Sequence, residues 1–239
     1  MIRPELFKLR HHLTPWALLA TLTAAVIIAP VYYAIRNPVD VTAVTEILTN
    51  LITALGALLA AVFGGWVVGH EFRQGTLRRV LGSDARRGRL LATKAAIGTV
   101  ALAAGLSIAA GVGALASMAS AATFGESLVW DGVLRELLAA GFISFVVAAI
   151  AFGLSVLLRS DTYAMLGSLA LMIIVGPLLS LIPWVGKYMP SQLTNDVMSW
   201  ISGFGDEATV SIAPASLILT ATLAALAGAA AATFQHRDV

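Results

Sequence analysis

EFRQGTLRRVLGSDARRGRLLATK, residues 71–94, is the stretch that decides how this chain is arranged. It contains seven of the fifteen basic residues and two of the thirteen acids, and a long apolar run flanks it on each side. Because basic segments between membrane spans are retained on the cytoplasmic side, the stretch predicts a membrane protein and its orientation. Its basic residues are Arg73, Arg78, Arg79, Arg86, Arg87, Arg89 and Lys94.

The same stretch has an internal pattern that predicts a short helix. Gly75 tolerates a turn, and the hydroxyl of Thr76 suits a helix N-cap. Residues 82–84, Gly-Ser-Asp, then provide a stop and a second cap. A capped amphipathic helix at the inner face of a membrane suits docking to a soluble partner. Its apolar stripe follows the spacing i, i+3, i+4 and consists of Leu77, Val80 and Leu81.

The composition places the chain among integral membrane proteins. Of its 239 residues 59% are hydrophobic and 12% are charged, and the mean hydropathy is +0.88. Soluble domains carry about 25% charged residues. The chain has no cysteine, which excludes disulfides and thiolate metal sites. The net charge of +2 does not indicate a nucleic-acid partner, because the basic excess flanks apolar runs.

Six apolar runs are long enough to cross about 30 Å of hydrocarbon. They predict one all-α transmembrane domain over residues 1–239. In residues 1–15, the spacing of Leu6, Leu9 and Leu13 favours a short amphipathic interfacial helix, with a positively charged flank as the alternative. Gly176-Pro177 interrupts the fifth run, and Gly65 and Gly69 form a small-xxx-small pair on the second. The spans are residues 16–35, 47–69, 91–120, 137–158, 162–182 and 210–234. Residues 36–46 are expected as a polar outer loop, and residues 71–90 as the inner loop.

Both termini are predicted to be cytoplasmic. Six spans place the termini on one side, and twelve of the fifteen basic residues then lie inside, against Arg36, Arg135 and Lys187 outside. The outer loop, residues 183–209, is expected to contain a short amphipathic helix, with a partly disordered loop as the alternative. The expected apolar face of that helix consists of Leu193, Val197, Trp200, Ile201 and Phe204.

The sequence contains no recognisable catalytic machinery. It has no G-x-x-x-x-G-K-[ST], no G-x-S-x-G and no H-E-x-x-H motif. Arg73 and Arg78 lie within reach of Glu71, which favours a structural ion pair over acid–base chemistry. All fifteen basic and thirteen acidic residues fall in loops or at span ends, so a proton or sodium relay is not expected. If the chain moves a solute, another subunit would supply the driving force. Solvated side chains at the inner interface are favoured over a metal site for His11, His12, His70 and His236.

Several segments in fixed order resemble one family of membrane proteins. They are ELFKLR in a helix that ends at Trp16, GHEFRQGTLRRVL between spans two and three, and RRGRLLATK entering span three; KYMP in the last outer loop and a terminal FQHRDV follow. Together with the six spans, they resemble the permease subunits of ABC-2 type (type V) ABC transporters over essentially the whole chain. Residues 83–85 lack the proline that this family often has after its coupling helix.

The resemblance implies a role for each cytoplasmic segment. Residues 72–82 would be the coupling helix that enters a groove of a cytosolic ATPase. Residues 1–15 would be the connecting helix, and residues 193–204 an outer re-entrant or surface helix. The positions carried over from the family are Glu71, Gly75, Thr76, Leu77, Arg86 and Lys94. The expected ATPase-coupling set also includes Phe72, Arg73, Val80 and Leu81.

The partners and activity implied by the resemblance are those of an exporter in a bacterial inner membrane. Two ATPase subunits would bind ATP and Mg²⁺, and a second permease, identical or paralogous, would complete the complex. The chain itself would bind no cofactor and would not be an enzyme. The substrate would be hydrophobic or amphipathic: a drug, peptide, lipid or glycan.

Two other classes of protein remain open. One is a membrane scaffold or immunity-type protein that binds an ATPase without transporting anything. The other is an intramembrane enzyme, which would need polar catalytic groups at membrane depth. The polar residues at that depth suggest no dyad: Thr49, Asn50, Thr53, Ser107, Ser168 and Ser180.

Overall fold

A computed structural model describes residues 2–36, 41–75, 87–123, 130 and 132–236, and it contains no β-strand within those residues. This confirms the all-α prediction. The helices are α1 (Ile2–His11), α2 (Leu13–Arg36), α3 (Val41–Gln74), α4 (Arg87–Thr123), α5 (Val133–Leu158) and α6 (Asp161–Ala170). A π-helical turn (Leu171–Val175) joins α6 to α7 (Gly176–Ser180), followed by α8 (Pro183–Gly186), α9 (Pro190–Ser202), a 3-10 turn (Gly205–Glu207) and α10 (Ile212–His236).

Six helical segments in the described residues are long and apolar enough to cross a membrane, as predicted. Two of them are much longer than the membrane requires. At about 1.5 Å per residue, the 34 residues of α3 and the 37 residues of α4 extend over roughly 50 Å, against about 30 Å of hydrocarbon. The apolar runs therefore predicted the crossings but not the full helices.

The start of α3 shows the reason for this difference. The sequence predicted a polar loop up to residue 46, but the described helix already begins at Val41. Val44 and Leu48, one helical turn apart, are 2% and 0% exposed. One face of the first turns is thus packed inside the bundle even though the opposite face is polar, so burial extends the helix beyond the apolar run.

Helix α3 lies at the centre of the bundle. Within the apolar, membrane-crossing stretch of α3, 56% of the residues are buried inside the protein. The corresponding stretches of α4 and α10 are each 17% buried. Two glycines permit this close packing. A Cβ atom at Gly64 would lie 2.9 Å from the Cα atom of Ala148 on α5, and one at Gly69 would lie 2.6 Å from the Cα atom of Asp161. Both separations are too short for a real contact, so only glycine allows these backbones to approach.

Several helix ends meet at one end of the bundle, which we call the charged end. Arg73, near the end of α3, lies 3.0 Å from the carboxylate of Asp161 at the start of α6. Phe72 packs edge-to-face against Phe234 near the end of α10, with ring centroids 6.3 Å apart. The start of α4 and all of α1 are bound there as well, through contacts described below.

At the opposite end, α9 occupies the position where the sequence predicted a short helix. It runs from Pro190 to Ser202 and ends at Gly203, whose φ of 93° only glycine adopts easily. Leu193 and Val197 are buried against α5 and α10. Ile201, in the last turn, packs against the same cluster, whereas Trp200 and Phe204 are exposed, so three of the five predicted residues face the protein. Phe204 lies beyond the helix end and no longer follows its periodicity.

A buried carboxylate fixes the segment that follows α9. Asp196 is 2% exposed, and its two oxygens accept hydrogen bonds from the backbone N–H groups of Thr209 and Val210 at 3.0 and 3.1 Å. Gln192 also donates to it, at 3.0 Å. The connection into α10 is therefore anchored from within α9, which the sequence did not predict.

The predicted interruption of the fifth span takes the form of a π-helical turn. Pro177 has no N–H to donate to the carbonyl four residues earlier, which disturbs the regular hydrogen-bond pattern. The backbone N–H of Gly176 instead donates to the carbonyl of Leu171, five residues before it. Helical structure therefore continues to Ser180. A Cβ atom at Gly176 would overlap the side chain of Ser191, so α7 and α9 also pack closely here.

The close approach at Gly69 leads to a stability prediction. We expect Gly69→Ala to lower the free energy of unfolding by about 1–3 kcal/mol, because its methyl group meets the backbone of Asp161, which cannot rotate away. The measurement is the thermal unfolding midpoint of the purified protein in detergent. The control is Gly111→Ala on α4, where no atom lies within 4 Å of the added Cβ atom. Equal midpoints for the two variants would contradict this account of the packing.

Candidate functional site

Four charged side chains from three helices meet at the charged end: Glu5 and Lys8 of α1, Glu71 of α3 and Lys94 of α4. We call this group the ion cluster. The ammonium group of Lys94 donates to the carboxylates of both Glu5 and Glu71, the latter at 2.6 Å. The ammonium group of Lys8 donates to the same Glu71 oxygen at 3.0 Å. The three helices are thereby joined through charge-assisted hydrogen bonds.

The ion cluster is balanced in charge and almost closed to solvent. The Lys94 side chain is 2% exposed, and those of Glu71, Glu5 and Lys8 are 12%, 13% and 14% exposed. Two cations face two carboxylates, so no net charge is buried. Such pairing is required because an isolated charge in a poorly solvated place costs several kcal/mol. The arrangement is suited to holding helices together rather than to transferring protons.

Lys8 has further partners that fix its position. Its ammonium group donates to the backbone carbonyl of Val67 at 2.9 Å and lies 4.6 Å from the centre of the Trp66 ring. Burial lowers the pKa of the Lys8 ammonium group from its usual value, and the neighbouring Glu71 carboxylate opposes that shift. Lys8 therefore reaches from α1 into the side of α3 as well as into the ion cluster.

Two of the predicted coupling residues, Glu71 and Lys94, come together in the ion cluster. They belong to the helices on either side of residues 76–86, so the bond between them joins the two ends of that segment. The other coupling residues predicted within it lie outside the described residues: Thr76, Leu77, Val80, Leu81 and Arg86.

The remaining predicted residues, Phe72, Arg73 and Gly75, lie near the end of α3 but outside the ion cluster. Phe72 contacts the end of α10 through Phe234. Arg73 pairs with Asp161 at the start of α6, with a side chain that is 59% exposed. Gly75 follows α3 with a φ of 64°, a conformation that glycine adopts without strain. The last turn of α3 thus contacts different helices through successive side chains.

One of the two partners predicted for Glu71 was wrong. Arg73 was expected within reach, but the described partners are Lys8 and Lys94. Residues two apart on a helix point in nearly opposite directions, so Arg73 cannot share the direction of Glu71. Arg78, the other expected partner, lies outside the described residues.

Glu5 and Lys8 are functional candidates that the sequence analysis missed. They stand at i, i+3, which places both on one side of α1. The prediction for residues 1–15 rested instead on the apolar stripe of Leu6, Leu9 and Leu13. Of these, Leu9 packs against the buried core, whereas Leu6 and Leu13 are 52% and 81% exposed. The i, i+3 spacing of opposite charges was the signal that could have identified the face of α1 that turns toward the protein.

Two of the histidines are packed rather than simply solvated, which corrects the expectation for them. The rings of His12 and His70 lie 5.1 Å apart, and both contact the ring of Trp66. His11 matches the expectation better, as an exposed ring stacked on Phe7. The side chain of His236 lies outside the described part of the chain. Within that part, no three His, Asp or Glu side chains are close enough to hold one metal ion.

A cavity of about 580 Å³ opens between α3, α4, α5 and α10. Its lining is made of apolar side chains and glycines, with the hydroxyls of Thr99 and Thr220 as the polar side chains among the described residues. None of those lining residues is ionisable. The volume falls within the range of about 300–1,000 Å³ that is typical of small-molecule sites.

Comparison with known proteins identifies a family that agrees with this architecture. Residues 20–239 match the family model described as ABC-2 family transporter protein. The match covers five of the six membrane-crossing segments in full and α2 from residue 20 onward. No curated protein matches the chain.

The pairing in the ion cluster leads us to expect that replacing Lys94 destabilises the protein more than replacing Arg73. We expect Lys94→Met to lower the free energy of unfolding by about 3–5 kcal/mol, because two nearly buried carboxylates then share Lys8 alone. Arg73→Gln, the control, removes an arginine that is 59% exposed, while the Asp161 carboxylate keeps its hydrogen bond from the backbone N–H of Thr162, so it should cost no more than about 1 kcal/mol. Thermal unfolding followed by tryptophan fluorescence measures both changes.

A second substitution separates lost charge balance from lost packing. Adding Glu5→Gln to the Lys94→Met variant removes one uncompensated carboxylate and should restore part of the lost stability. If the double variant is no more stable than Lys94→Met, or if Arg73→Gln is equally harmful, charge pairing is not what the ion cluster contributes.

Proposed function

The chain belongs to the ABC-2 transporter family, and we propose that it is the membrane-spanning permease of an ATP-driven exporter. Six membrane-crossing segments support a role in providing the path through the bilayer. The sequence contains no Walker-type motif with which to bind a nucleotide, so ATP hydrolysis is assigned to separate subunits.

The proposed coupling is supported above all by the 2.6 Å hydrogen bond that the Lys94 ammonium group donates to the Glu71 carboxylate. The segment between their helices, residues 76–86, is the proposed docking site for the ATPase, through Thr76, Leu77, Val80, Leu81 and Arg86. Separating α3 from α4 at the charged end would leave buried charges unpaired. A push on the segment is therefore expected to move both helices together rather than to spread them apart.

Helix α1 is joined to α3 and α4 through the same ion cluster. Lys94 also binds Glu5, and Glu71 also binds Lys8, so a displacement of either long helix is passed to α1. Phe72 and Arg73 contact the ends of α10 and α6, while Gly75 provides the turn at which α3 ends. In the proposed mechanism, closure of the ATPase subunits on ATP shifts this joined set of helix ends and changes the width of the path between the long helices.

The proposed complex contains two such permeases, identical or paralogous, and two cytosolic ATPase subunits that bind ATP and Mg²⁺. The charged end faces the cytoplasm in this proposal, because twelve of the fifteen basic residues fall on that side of the predicted topology. The membrane is proposed to be the inner membrane of a bacterium.

An apolar lining supports the proposed class of substrate. The 580 Å³ cavity presents no ionisable side chain among the described residues that line it. A small charged solute would lose its hydration there without gaining a partner. A hydrophobic or amphipathic substrate, such as a drug, a lipid, an apolar peptide or a lipid-linked glycan, would not meet that cost.

Docking of the ATPase is tested by charging the predicted apolar stripe. We expect Leu77→Asp combined with Val80→Asp to weaken binding of the cognate ATPase by at least about thirtyfold, as loss of an interface hot spot of about 2 kcal/mol would. The measurement is the amount of ATPase that copurifies with the chain at several ATPase concentrations. Ser83→Asp is the control, since it adds a charge in the same segment but away from the stripe.

Transport itself is tested in vesicles that contain the chain and its ATPase. ATP-dependent movement of an apolar dye that stops in the Leu77→Asp, Val80→Asp variant supports an exporter. ATPase binding without any ATP-dependent flux of candidate substrates would instead support the scaffold or immunity-type alternative. Undiminished copurification of the ATPase with the charged variant would contradict the docking site.

The orientation is tested with single cysteines, which this cysteine-free chain makes straightforward. We expect Ser127→Cys to react with a membrane-impermeant maleimide on intact cells, because the predicted topology places residue 127 outside. Ser83→Cys should react only after the membrane is permeabilised. The reverse pattern would invert the proposed orientation, while leaving the described packing unchanged.

A further inference from the structure

A second cavity, of about 330 Å³, is a groove bounded by α1, α2, α3 and α4. Among the described residues that line it, Arg10 is the single ionisable one, and it lies at the α1 end. The wall along α2 and α4 includes Leu19, Leu22 and Gly105. The groove is therefore apolar along its length and cationic at one end.

The depth of the groove corresponds to one leaflet of a bilayer. From Leu13 to Leu22, helix α2 rises roughly 14 Å at about 1.5 Å per residue. The hydrocarbon core of a bilayer is about 30 Å thick, so half of it is about 15 Å. A groove that begins beside α1 and ends near Leu22 thus extends from the membrane surface to about the bilayer midplane.

The surroundings of Arg10 place the cationic end at headgroup level. Trp16, a residue type that prefers membrane interfaces, donates from its indole nitrogen to the backbone carbonyl of Arg10 at 3.0 Å. Phe7 and Leu13 are 64% and 81% exposed, as expected for side chains that face lipid. The Arg10 side chain is exposed, and no carboxylate among the described residues pairs with it. A guanidinium in this position is suited to binding a phosphate through two parallel hydrogen bonds.

We propose that this groove binds one anionic glycerophospholipid from the leaflet in which α1 lies. One acyl chain runs along Leu19 and Leu22, and the phosphate binds Arg10. The apolar lining matches the acyl chain, the depth matches one leaflet, and the cation that lines the groove, Arg10, matches the headgroup. The inference requires only that the chain spans a membrane, so it does not rest on the proposed export function.

The test compares lipid binding by the purified full-length protein with phosphatidylglycerol and phosphatidylcholine as probes. We expect the wild-type protein to retain about one phosphatidylglycerol per chain in native mass spectrometry and to unfold at a higher temperature with phosphatidylglycerol than with phosphatidylcholine. Arg10→Gln should weaken phosphatidylglycerol binding by at least about tenfold, since a charge-assisted hydrogen bond is lost. Arg3→Gln, which removes an exposed arginine of α1 that does not line the groove, is the control.

A second pair of variants tests the acyl-chain part of the site. A Cβ atom at Gly105 would meet only Leu19, at an ordinary 3.9 Å, so Gly105→Leu fills the groove without a backbone clash. We expect it to abolish retention of phosphatidylglycerol. Gly111→Leu, on an open surface of the same helix, should leave retention unchanged.

Several results would overturn the proposal. Equal retention by wild type, Arg10→Gln and Gly105→Leu would mean that the lipid is nonspecific boundary lipid. Equal binding of both probes by the wild-type protein would remove the preference for an anionic headgroup, and with it the proposed lipid class. Dissociation of a dimer by Gly105→Leu, with phosphatidylglycerol retention unchanged, would make the groove a contact between two copies of the chain.

Discussion

The ammonium group of Lys94 lies almost entirely out of contact with water, and most of the arrangement at the charged end follows from that. Burial of a charge is tolerated only where opposite charges and hydrogen bonds replace its hydration. Here one carboxylate comes from α3 and the other from α1, so the three helices must meet in a single register. The pairing sets where α1 lies against the bundle, although α1 is too short to cross a membrane and would be marginal as an isolated helix in water.

The sequence predicted the number and approximate position of the membrane crossings because the energetic signal is local. A run of apolar residues long enough for the bilayer needs no knowledge of its neighbours. The helix ends were less predictable. Val44 and Leu48 extend α3 through packing against other helices, and the π-helical turn before Pro177 depends on how the freed carbonyl groups are accommodated. The spacing of Gly65 and Gly69 was likewise only compatible with a close approach, and it did not identify Asp161 as the neighbour of Gly69.

Half of the ion cluster could be anticipated from sequence. Glu71 and Lys94 were selected by resemblance to a family, whereas Glu5 and Lys8 were passed over. Lys8 and Glu71 are 63 positions apart, and no local pattern pairs residues over such a distance. The same holds for Asp196, whose role depends on backbone groups of the segment that follows its own helix. A residue's type can be selected from sequence, but its partner is set by tertiary packing.

In helix α1 the charged face points toward the protein and the apolar face toward lipid. This arrangement explains how α1 can contribute to both the ion cluster and the proposed lipid site. Most interfacial helices turn their charged face to water and their apolar face to lipid. In α1 the charged side, with Glu5 and Lys8, faces the protein and has its charges neutralised there. Leu6 and Phe7 are then free to face lipid, and Arg10 is left at the surface. A lipid bound at Arg10 would therefore press on the same short helix that the buried carboxylates hold, so that in the proposed mechanism the membrane and residues 76–86 would both act on α1.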